Sequence, residues 1–544
     1  MTRFLAELTS KVDIVIQPTP SNDYPKHYNV YELDISPYPD ESYWIDWGGY
    51  YDNFTGTQLE IYYEQYLNRT QTVEDLLITP FSIYLRDDFT ALINIPMHPW
   101  LYPDYATEID SSIPFLSSTI NPDNPSANIL RGVNALIKFE TPSFDVKLSE
   151  AINGIVLNQS FNVTFFNNDS YFDDNIFWNL LNRPLHLKKA TAENPSYNDF
   201  KTIRTGLVDN TATTFDNLHI NVSDRLRTME EPACKLITQS KFPALSIENN
   251  LNKSIPIVYG KMKVRLLQLN ETHYVAAEYI TEILDVIDRD GNSVDFDFSR
   301  STNTITSDND AAYALIVGYT NNNIGSIVTD LISRRTDIPF TNANWNMNEV
   351  NQYIENSSQV NILISRGNVR RAIQDVLRND MTYLIQQMDG RLTLRRYGIE
   401  YTTHTIPSWL VTKIPKKINN SAQDNFFSSC IINYNFSGDE YDSYLYDERA
   451  GLAENTYKRR ITRSFNTDLT NQQDARKLAQ LLANRFTTVK QTIRLAVGVD
   501  TSDYELLDYV EVDLTINNRE FNKPGKYFVK EINPAQDTLL LEEI

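Results

Sequence analysis

The side chains that most often perform enzyme chemistry are few in this sequence, and their spacing matches no familiar catalytic pattern. None of the six histidines stands in a histidine-glutamate-x-x-histidine motif or in a comparable ligand spacing. Cys234 and Cys430 are isolated from each other, which argues against a zinc site of familiar type. Neither a glycine-x-serine-x-glycine elbow nor a glycine-rich phosphate loop occurs. We therefore predict no catalytic residue, no metal ion and no cofactor.

Carboxylates are abundant enough to create accidental clusters, since the chain has 71 acidic residues. Glu440, Asp442 and Asp447 form one such cluster, which we interpret as a solvated acidic loop, because glycoside cleavage depends on a spacing that sequence does not give. Asp288, Asp290 and Gly291 resemble the start of a calcium loop. The glutamate that closes such a loop is absent, so we predict a hairpin turn there.

The candidate binding residues are aromatic and lie near the N-terminus: Trp44, Trp47, Tyr50 and Tyr51. Acidic residues flank them, and flat aromatic faces beside carboxylates suit sugar rings. The alternative, which we favour, is that these rings seal a small core or a subunit contact. A glycan or protein contact at these four residues is therefore the candidate site of the sequence.

The charge balance limits the partners of the chain. A formal net charge of −22 argues against wrapping nucleic acid, because affinity for a duplex comes chiefly from Lys and Arg at the phosphates. The same charge is compatible with DNA in transit, since a channel lined by carboxylates would not hold a passing duplex. We therefore predict contact with DNA only during passage.

The sequence carries no sign of export or membrane insertion. Its N-terminal residues lack the apolar core of a secretory signal, and no run of about twenty apolar residues is present. Two distant cysteines do not make a disulfide framework. We expect synthesis and assembly in a reducing cytoplasm, without membrane insertion by this chain.

One amphipathic helix near the C-terminus has a readable beginning. Asn471 or Thr470 can cap it, and Asp474 lies in its first turn. Its apolar face follows helical spacing through Ala475, Leu478, Ala479, Leu482 and Phe486. This helix, predicted over 472–486, must pack on other elements, and we expect the strands predicted at 491–499 and 506–516 to be its partners.

The middle of the chain predicts two more helices, at 323–334 and 368–388, followed by a turn at Asp389 and Gly390 and a short basic strand at 391–398. Between about 144 and 224 the pattern changes to short strands at regular spacing. Such spacing is typical of a small antiparallel barrel or sandwich.

Several phrases, taken in order, resemble the baseplate or tail-tip hub proteins of long-tailed phages and of phage-derived particles such as gene transfer agents. The helix start at Asp474 and the run "LLDYVEVDL" from Leu506 resemble the closing segment of that family. The family's loop usually reads leucine-x-x-glycine-aspartate before a valine-rich strand, whereas this chain has Leu507, Asp508 and Tyr509 without a glycine. The other phrases are the run Thr205, Gly206, Leu207, Val208 and Asp209 with Asp224, the run Pro256, Ile257, Val258, Tyr259 and Gly260, and the middle helices with their aspartate-glycine turn.

The resemblance implies a fold, an assembly and partners. We expect a mainly β, multidomain chain with an α+β middle domain and two tube-like antiparallel β-barrels, interrupted by helix-containing insertions. The implied assembly is a homotrimer that closes the tail tube, contacts a tube or distal tail protein, joins a tip, spike or fibre-bearing protein, and forms part of the DNA channel used in ejection. It implies a structural protein of the virion tail and no enzyme.

The predicted domains are an aromatic, β-rich N-terminal domain (1–140), a first barrel (141–230), a β-rich connecting domain (231–320), an α/β middle domain (321–429) and a second barrel (430–544). No phrase in 1–140 matches the family. The alternative function is therefore a β-rich carbohydrate-binding or depolymerising tail protein.

Overall fold

The structure is a computed structural model, and it describes the chain in segments. The described residues are 29–35, 81–86, 91–96, 128–132, 146–147, 154–155, 161–166, 184–191, 201–214, 217–243, 245–246, 250–307, 310–413, 418–420, 426–448, 460–488, 490–498, 501–512, 515–516, 519–520, 525–533 and 537–544. The candidate aromatic residues Trp44, Trp47, Tyr50 and Tyr51 lie outside them.

The described elements are mostly strands. In the first half of the chain these are β1 Asn29–Ile35, β2 Phe81–Arg86, β3 Ala91–Pro96, β4 Asn128–Gly132, β5 Val146–Lys147, β6 Gly154–Ile155, β7 Phe161–Phe166, β8 Pro184–Thr191, β9 Lys201–Thr213, β10 Asn217–Ser223, β11 Ile257–Tyr259, β12 Lys261–Arg265, β13 Leu267–Gln268 and β14 His273–Val275. In the second half they are β15 Glu282–Asp288, β16 Asp297–Ser299, β17 Thr304–Thr306, β18 Ala311–Val317, β19 Ile362–Ile364, β20 Thr382–Gln386, β21 Leu392–Arg396, β22 Thr403–Ile406, β23 Val411–Lys413, β24 Ile418–Asn420, β25 Ser429–Phe436, β26 Tyr441–Glu448, β27 Thr462–Asn466, β28 Gln491–Val497, β29 Tyr509–Val512, β30 Thr515–Ile516, β31 Arg519–Glu520, β32 Gly525–Asn533 and β33 Thr538–Glu543.

The described α-helices are α1 Ile324–Arg335, α2 Met347–Asn356, α3 Val369–Leu377 and α4 Gln472–Phe486. An asparagine caps each of them, because Asn323, Asn346, Asn368 and Asn471 accept a hydrogen bond from a backbone amide of the first turn. Such a bond satisfies one of the amides that a helix start leaves without a partner. The many asparagines of the sequence thus include the start signals of its helices.

Two large sheets hold about half of the described strands. The first has the order β4-β3-β2-β1-β8-β9-β10-β7, and its described neighbours pair in antiparallel fashion. The second has the order β22-β29-β32-β33-β28-β23, with β24 on β28 and β5 on β32. Both sheets join strands far apart in sequence, and the first crosses the predicted boundary at residue 140. The described strands do not close into a barrel.

The remaining strands form smaller sheets. β20 pairs with β21 and, in parallel, with β6. β25 pairs with β26 and, in parallel, with β27. The connecting region holds β12-β18-β15 and β13-β14-β17-β16. The chain is therefore mainly β and multidomain, with its described helices in the middle and near the C-terminus.

The predicted helix over 368–388 is wrong beyond its third turn. Helix α3 ends at Leu377, a short 3-10 turn follows, and Met381 adopts a left-handed backbone with φ of 47°. The next residues form β20, every one of which is buried. A strand buried on both faces has no polar side, so its apolar residues imitate a continuing helix. Helix α2, just before this region, was not predicted.

Two other predictions change in part. Helix α4 matches the predicted helix, but it lies against β25 and β26 and not chiefly against the strands downstream of it. Its side chains share one apolar core with those strands all the same. The predicted acidic loop with Glu440, Asp442 and Asp447 is a short turn followed by strand β26, and both aspartates lie on that strand.

The turn predicted at Asp288 is confirmed. The carboxylate of Asp288 accepts hydrogen bonds from the backbone amides of Asp290 and Asn292, and Gly291 has a φ of 90°. These bonds close a tight hairpin turn by a side-chain and backbone pattern that aspartate favours.

Candidate functional site

The best-defined polar site among the described residues is a cluster of five charged or titratable side chains around the buried pair Arg395 and Asp508, here called the junction: Glu349, Arg395, His404, Glu505 and Asp508. They come from helix α2, strand β21, strand β22 and the turn before strand β29. The junction therefore joins the middle of the chain to the C-terminal sheet.

The turn at the junction forms without a glycine. Leu507 adopts a left-handed backbone with φ of 70°, and its amide donates to the carbonyl of Val529 at 2.9 Å. This conformation costs a non-glycine residue on the order of 1–3 kcal/mol. Leu507 is only 2% exposed, and burial of a leucine gains about 1.5–3 kcal/mol. Burial of the side chain thus offsets the strain in a turn that contains no glycine.

The side-chain carboxylate of Asp508 stabilises this turn by hydrogen bonding. Its Oδ2 accepts the backbone amide of Glu505 at 2.9 Å, and Nε2 of His404 lies 3.1 Å from the same oxygen. The imidazole of His404 also stacks on the ring of Tyr504 at 4.2 Å between centroids. One carboxylate therefore fixes both the turn and the neighbouring strand β22.

Arg395 is the centre of the junction. Its Nε and Nη2 donate to the two carboxylate oxygens of Glu349 at 2.8 and 2.7 Å, a bidentate fork. Its Nη1 donates to Oδ1 of Asp508 and to the carbonyl of Leu506, both at 2.9 Å. The side chain is 3% exposed. A buried guanidinium is thus shared between helix α2 and the turn before β29.

The pKa values of Glu349 and Arg395 are set by burial and by the hydrogen bonds between them. Burial alone would raise the pKa of Glu349, but the hydrogen bonds and charge of Arg395 outweigh it, and the pKa is lowered. Burial likewise opposes the charge of Arg395, yet its carboxylate partners raise its pKa above the ordinary value. Both groups are therefore charged across the physiological pH range.

Glu505 behaves differently from Glu349. Its carboxyl group is enclosed although part of the residue remains accessible, and burial raises its pKa to about 8. Arg395 and the backbone amide of Met388, which donates to Oε1 at 3.2 Å, lower the pKa, whereas Asp508 and Asp389 raise it. Glu505 is therefore largely protonated at neutral pH.

The turn at Asp389 and Gly390 connects the junction to the first large sheet. Gly390 has a φ of 87°, and a Cβ built on it would lie 2.8 Å from Cγ2 of Thr205 in strand β9. Nε2 of Gln386 donates to the carbonyl of Thr205 at 3.0 Å. Glycine is thus required both for the backbone angle and for the close approach to β9.

The arrangement is suited to rigid connection. Arg395 directs its donors at protein oxygens, and each carboxylate of the fork is occupied. Within the described residues, no group of three His, Cys, Asp or Glu side chains is placed to hold a metal ion. No helix in the described part of the chain is long and apolar enough to span a membrane. The chemistry available at the junction is the cross-linking of elements by buried ion pairs.

The sequence pattern gave only part of this site. The sequence places Asp508 in the family-like segment and Arg395 in a predicted basic strand, but it does not predict the contact between them. Glu349 and His404 were not selected, because a lone glutamate or histidine has no distinguishing spacing. Arg395 and Arg396 at the end of the predicted strand "RLTLRRYG" were the available signal, since a buried arginine requires a carboxylate partner.

No family model matches the chain, and no curated protein matches its sequence. Solved structures do match. The tail protein from Neisseria meningitidis MC58 is 11% identical with a TM-score of 0.38, covering 74% of this chain and 91% of that one. The 43 kDa tail protein of prophage MuSo2 from Shewanella oneidensis is 11% identical with a TM-score of 0.37, covering 74% and 93%.

A chain of the native gene transfer agent virion is 10% identical with a TM-score of 0.36, covering 54% of this chain and 84% of that one. These TM-scores lie below 0.5, so the argument for a function rests on the residues of this chain. Two of these three structures are tail proteins, one of them from a prophage, and the third is a chain of a gene transfer agent particle.

Proposed function

We propose that this chain is a structural component of a phage-type tail, and specifically the baseplate or tail-tip hub that closes the end of the tail tube. One observation carries the proposal. Three phrases on which the sequence resemblance rests lie far apart in the chain and come together beside the junction. The turn at Asp389 and Gly390 contacts the run at Thr205, and Met388 just before that turn contacts Glu505, next to the segment at Asp508.

The contacts among the three phrases are specific. Thr205 lies against Gly390, Met388 donates its amide to Glu505, and Lys201 of β9 pairs with Asp503 at 2.7 Å. Local sequence patterns that arose by chance would have no reason to meet in space. Their convergence supports the interpretation that they are the connections of one architecture, in which the middle of the chain holds two β units together.

The family resemblance supports a more detailed proposal about barrels, assembly and partners. We propose two tube-like barrels, within 141–230 and 430–544, and a homotrimer whose six barrels meet a hexameric tube. The partners would be a tube or distal tail protein on one side and a tip, spike or fibre-bearing protein on the other. The chain would act without catalysis, within the virion tail, after assembly in the bacterial cytoplasm.

DNA would pass through the ring. With 71 acidic against 49 basic side chains, we expect carboxylates and small polar groups to face the channel. Lys and Arg there would hold phosphates and slow the transit.

The alternative is a carbohydrate-binding or depolymerising tail protein, which the aromatic residues Trp44, Trp47, Tyr50 and Tyr51 would serve. A glycan array and a reducing-sugar assay separate the two functions, since a hub should score on neither.

The direct test is a cryo-EM map of the particle. We expect three copies of the chain at the distal end of the tail tube, around its axis. Location anywhere else in the particle, or a copy number incompatible with threefold symmetry, would refute the hub assignment.

A further inference from the structure

The chain contains two aspartate-glycine dipeptides, Asp290–Gly291 and Asp389–Gly390, and both lie in turns. Their glycines adopt nearly the same left-handed backbone, with φ of 90° and 87°. The dipeptide is chemically distinct because glycine has no side chain to shield its amide nitrogen from the carboxyl group of the preceding aspartate. The two sites thus share their sequence and the conformation of their glycine, and they differ in how the structure holds them.

The turn at Asp290 leaves both reacting groups open. Asp290 and Gly291 are exposed, and a Cβ built on Gly291 would meet no atom within 4 Å. Within the part of the chain that the structure describes, the carboxylate of Asp290 accepts no hydrogen bond and forms no ion pair. The amide of Gly291 donates to the carbonyl of Asp288 at 3.4 Å, which is long for a hydrogen bond. The carboxyl group and the amide can therefore approach each other at little cost.

The turn at Asp389 holds the same two groups in place. The carboxylate of Asp389 accepts hydrogen bonds from the backbone amide of Arg391 at 2.9 Å and from its Nε at 2.7 Å. The amide of Gly390 donates to the carbonyl of Gln387 at 2.9 Å, and Gly390 is buried against Thr205. These hydrogen bonds must break before Asp389 can reach the amide of Gly390.

We propose that Asp290 is a site of spontaneous covalent modification, at which aspartate is converted to isoaspartate, and that Asp389 is protected from this reaction. The backbone nitrogen of Gly291 attacks Cγ of Asp290, and the new N–Cγ bond closes a five-membered succinimide. The amide proton and the hydroxyl of the carboxyl group leave together as water. Water then adds to the ring and breaks the bond between that nitrogen and the main-chain carbonyl carbon of Asp290. The chain now runs through the former side chain, and its mass is unchanged.

The product alters the surface and leaves the core intact. The turn lines an open pocket of about 450 Å³ together with Asp288, Ser293, Asp295 and Asp310. Isoaspartate adds one methylene to the backbone and moves a carboxylate, so it redistributes the negative charge of this pocket. No residue of the turn belongs to the buried apolar cluster of the connecting region. The modified chain should therefore remain folded.

The test incubates the purified full-length chain at physiological temperature and measures isoaspartate at each dipeptide by peptide mapping with electron-transfer fragmentation. We expect the yield at Asp290 to exceed that at Asp389 by about tenfold or more, because each hydrogen bond that must break slows the reaction several-fold. In urea both turns lose their structure, and the two yields should become similar. The protonated carboxyl group is the electrophile, so the yield at Asp290 should be higher at about pH 5 than at about pH 8.

Two variants probe the cause of the difference. Asp290→Glu keeps the charge but requires a six-membered ring, which closes far more slowly, so the product at this position should disappear while the yield at Asp389 is unchanged. Arg391→Ala removes the Nε hydrogen bond to Asp389, and the yield at Asp389 should rise several-fold. Circular dichroism verifies that both variants are folded.

Three results would overturn the inference. The first is an equal yield at Asp290 and Asp389 in the folded chain, and the second is a product at Asp290 that forms in urea but not in the folded chain. The third is a deamidated Asn292 beside an unmodified Asp290, which would mark the asparagine as the reactive residue. An unchanged yield at Asp389 in Arg391→Ala would overturn the explanation by hydrogen bonding. The inference does not depend on the hub assignment, because the measurement requires only the purified chain.

Discussion

The interior around Arg395 is charged, whereas the middle of helix α4 packs through apolar side chains, with the buried charged residues Asp474 and Arg485 confined to its two ends. At the junction, an arginine, two carboxylates and the amides of a turn are held by directed hydrogen bonds. Beneath α4, the buried residues Ala475, Leu478, Ala479 and Leu482, here called the seam, contribute apolar area and no ion pair. The two regions lie in the same core cluster of the chain but are stabilised by different forces.

The two regions differ in how precisely they fix the positions of the elements that they join. Apolar burial is non-directional, so the seam holds the helix but tolerates small shifts. A buried ion pair gives little net stability, because desolvation of the charges offsets their attraction. Removal of one partner of the pair, however, leaves the other partner as a buried charge without a counter-charge. The junction should therefore fix the relative position of its four elements more strictly than the seam fixes helix α4.

The largest effect is expected from Asp508→Ala. It leaves Nη1 of Arg395 without a carboxylate, and the backbone amide of Glu505 loses its acceptor. Breaking a buried pair by removing one partner costs about 3–5 kcal/mol. Urea unfolding of the chain measures this loss.

Asp389→Ala is the control for that variant, because Asp389 lies in the neighbouring turn, pairs with Arg391 and is 44% exposed. It should cost less than about 1 kcal/mol. Equal losses from the two variants would show that the junction is no more sensitive than an exposed pair.

The next effect is expected in the seam. Leu478→Ala and Leu482→Ala each remove a leucine that is at most 2% exposed, and such truncations cost about 2–5 kcal/mol. Arg476→Ala, on the exposed side of α4, should change stability by less than about 0.5 kcal/mol. Thermal and urea unfolding measure all three. Similar small losses from all of them would mean that the helix is rotated from its described position.

The two regions also differ in how much of them sequence could predict. The seam follows from spacing within fifteen residues and from the cap at Asn471, and α4 has the predicted bounds. The junction joins residues up to 159 positions apart, from Glu349 to Asp508, and no local period records such a contact. Strand β20 was predicted as helix for a related reason. Its residues are buried because β20 pairs with β21 and with the distant strand β6, and the local sequence pattern records neither pairing.

A smaller, pH-dependent effect is expected at Glu505. Its pKa is raised from 4.5 to about 8, so the folded chain keeps a proton that the unfolded chain has already released. Stability should therefore fall as pH rises from about 4.5, and the loss should be complete above about 8. Glu505→Gln removes the titrating group and should reduce this slope, so that the variant is more stable than the parent at pH 9.

Glu511→Gln is the control for the titration, because Glu511 is exposed on strand β29 and pairs with Lys526 at 3.4 Å. Its unfolding free energy should keep the pH slope of the parent chain. Urea unfolding between pH 5 and 9 compares the three proteins. A parent chain whose stability rises over this range, or a Glu505→Gln variant with an unchanged slope, would contradict the assignment of the slope to Glu505.

The smallest effect is expected at the exposed counterpart of the junction. Lys201 of β9 and Asp503 of the turn form an ion pair at 2.7 Å, but their side chains are 47% and 63% exposed. Water and salt screen such a pair, and exposed pairs contribute only about 0.2–1 kcal/mol. Asp503→Ala should therefore have a small cost that disappears at about 1 M salt, where the Debye length is about 3 Å. The cost of Asp508→Ala should persist at this salt concentration, because the partner of Asp508 is buried.

A double-mutant cycle with Lys201→Ala, measured at low and high salt, isolates the exposed pair. A coupling above about 2 kcal/mol, or one insensitive to salt, would show that the contact between β9 and this turn is as rigid as the contact at Arg395, and the contrast between buried and exposed connections would not hold.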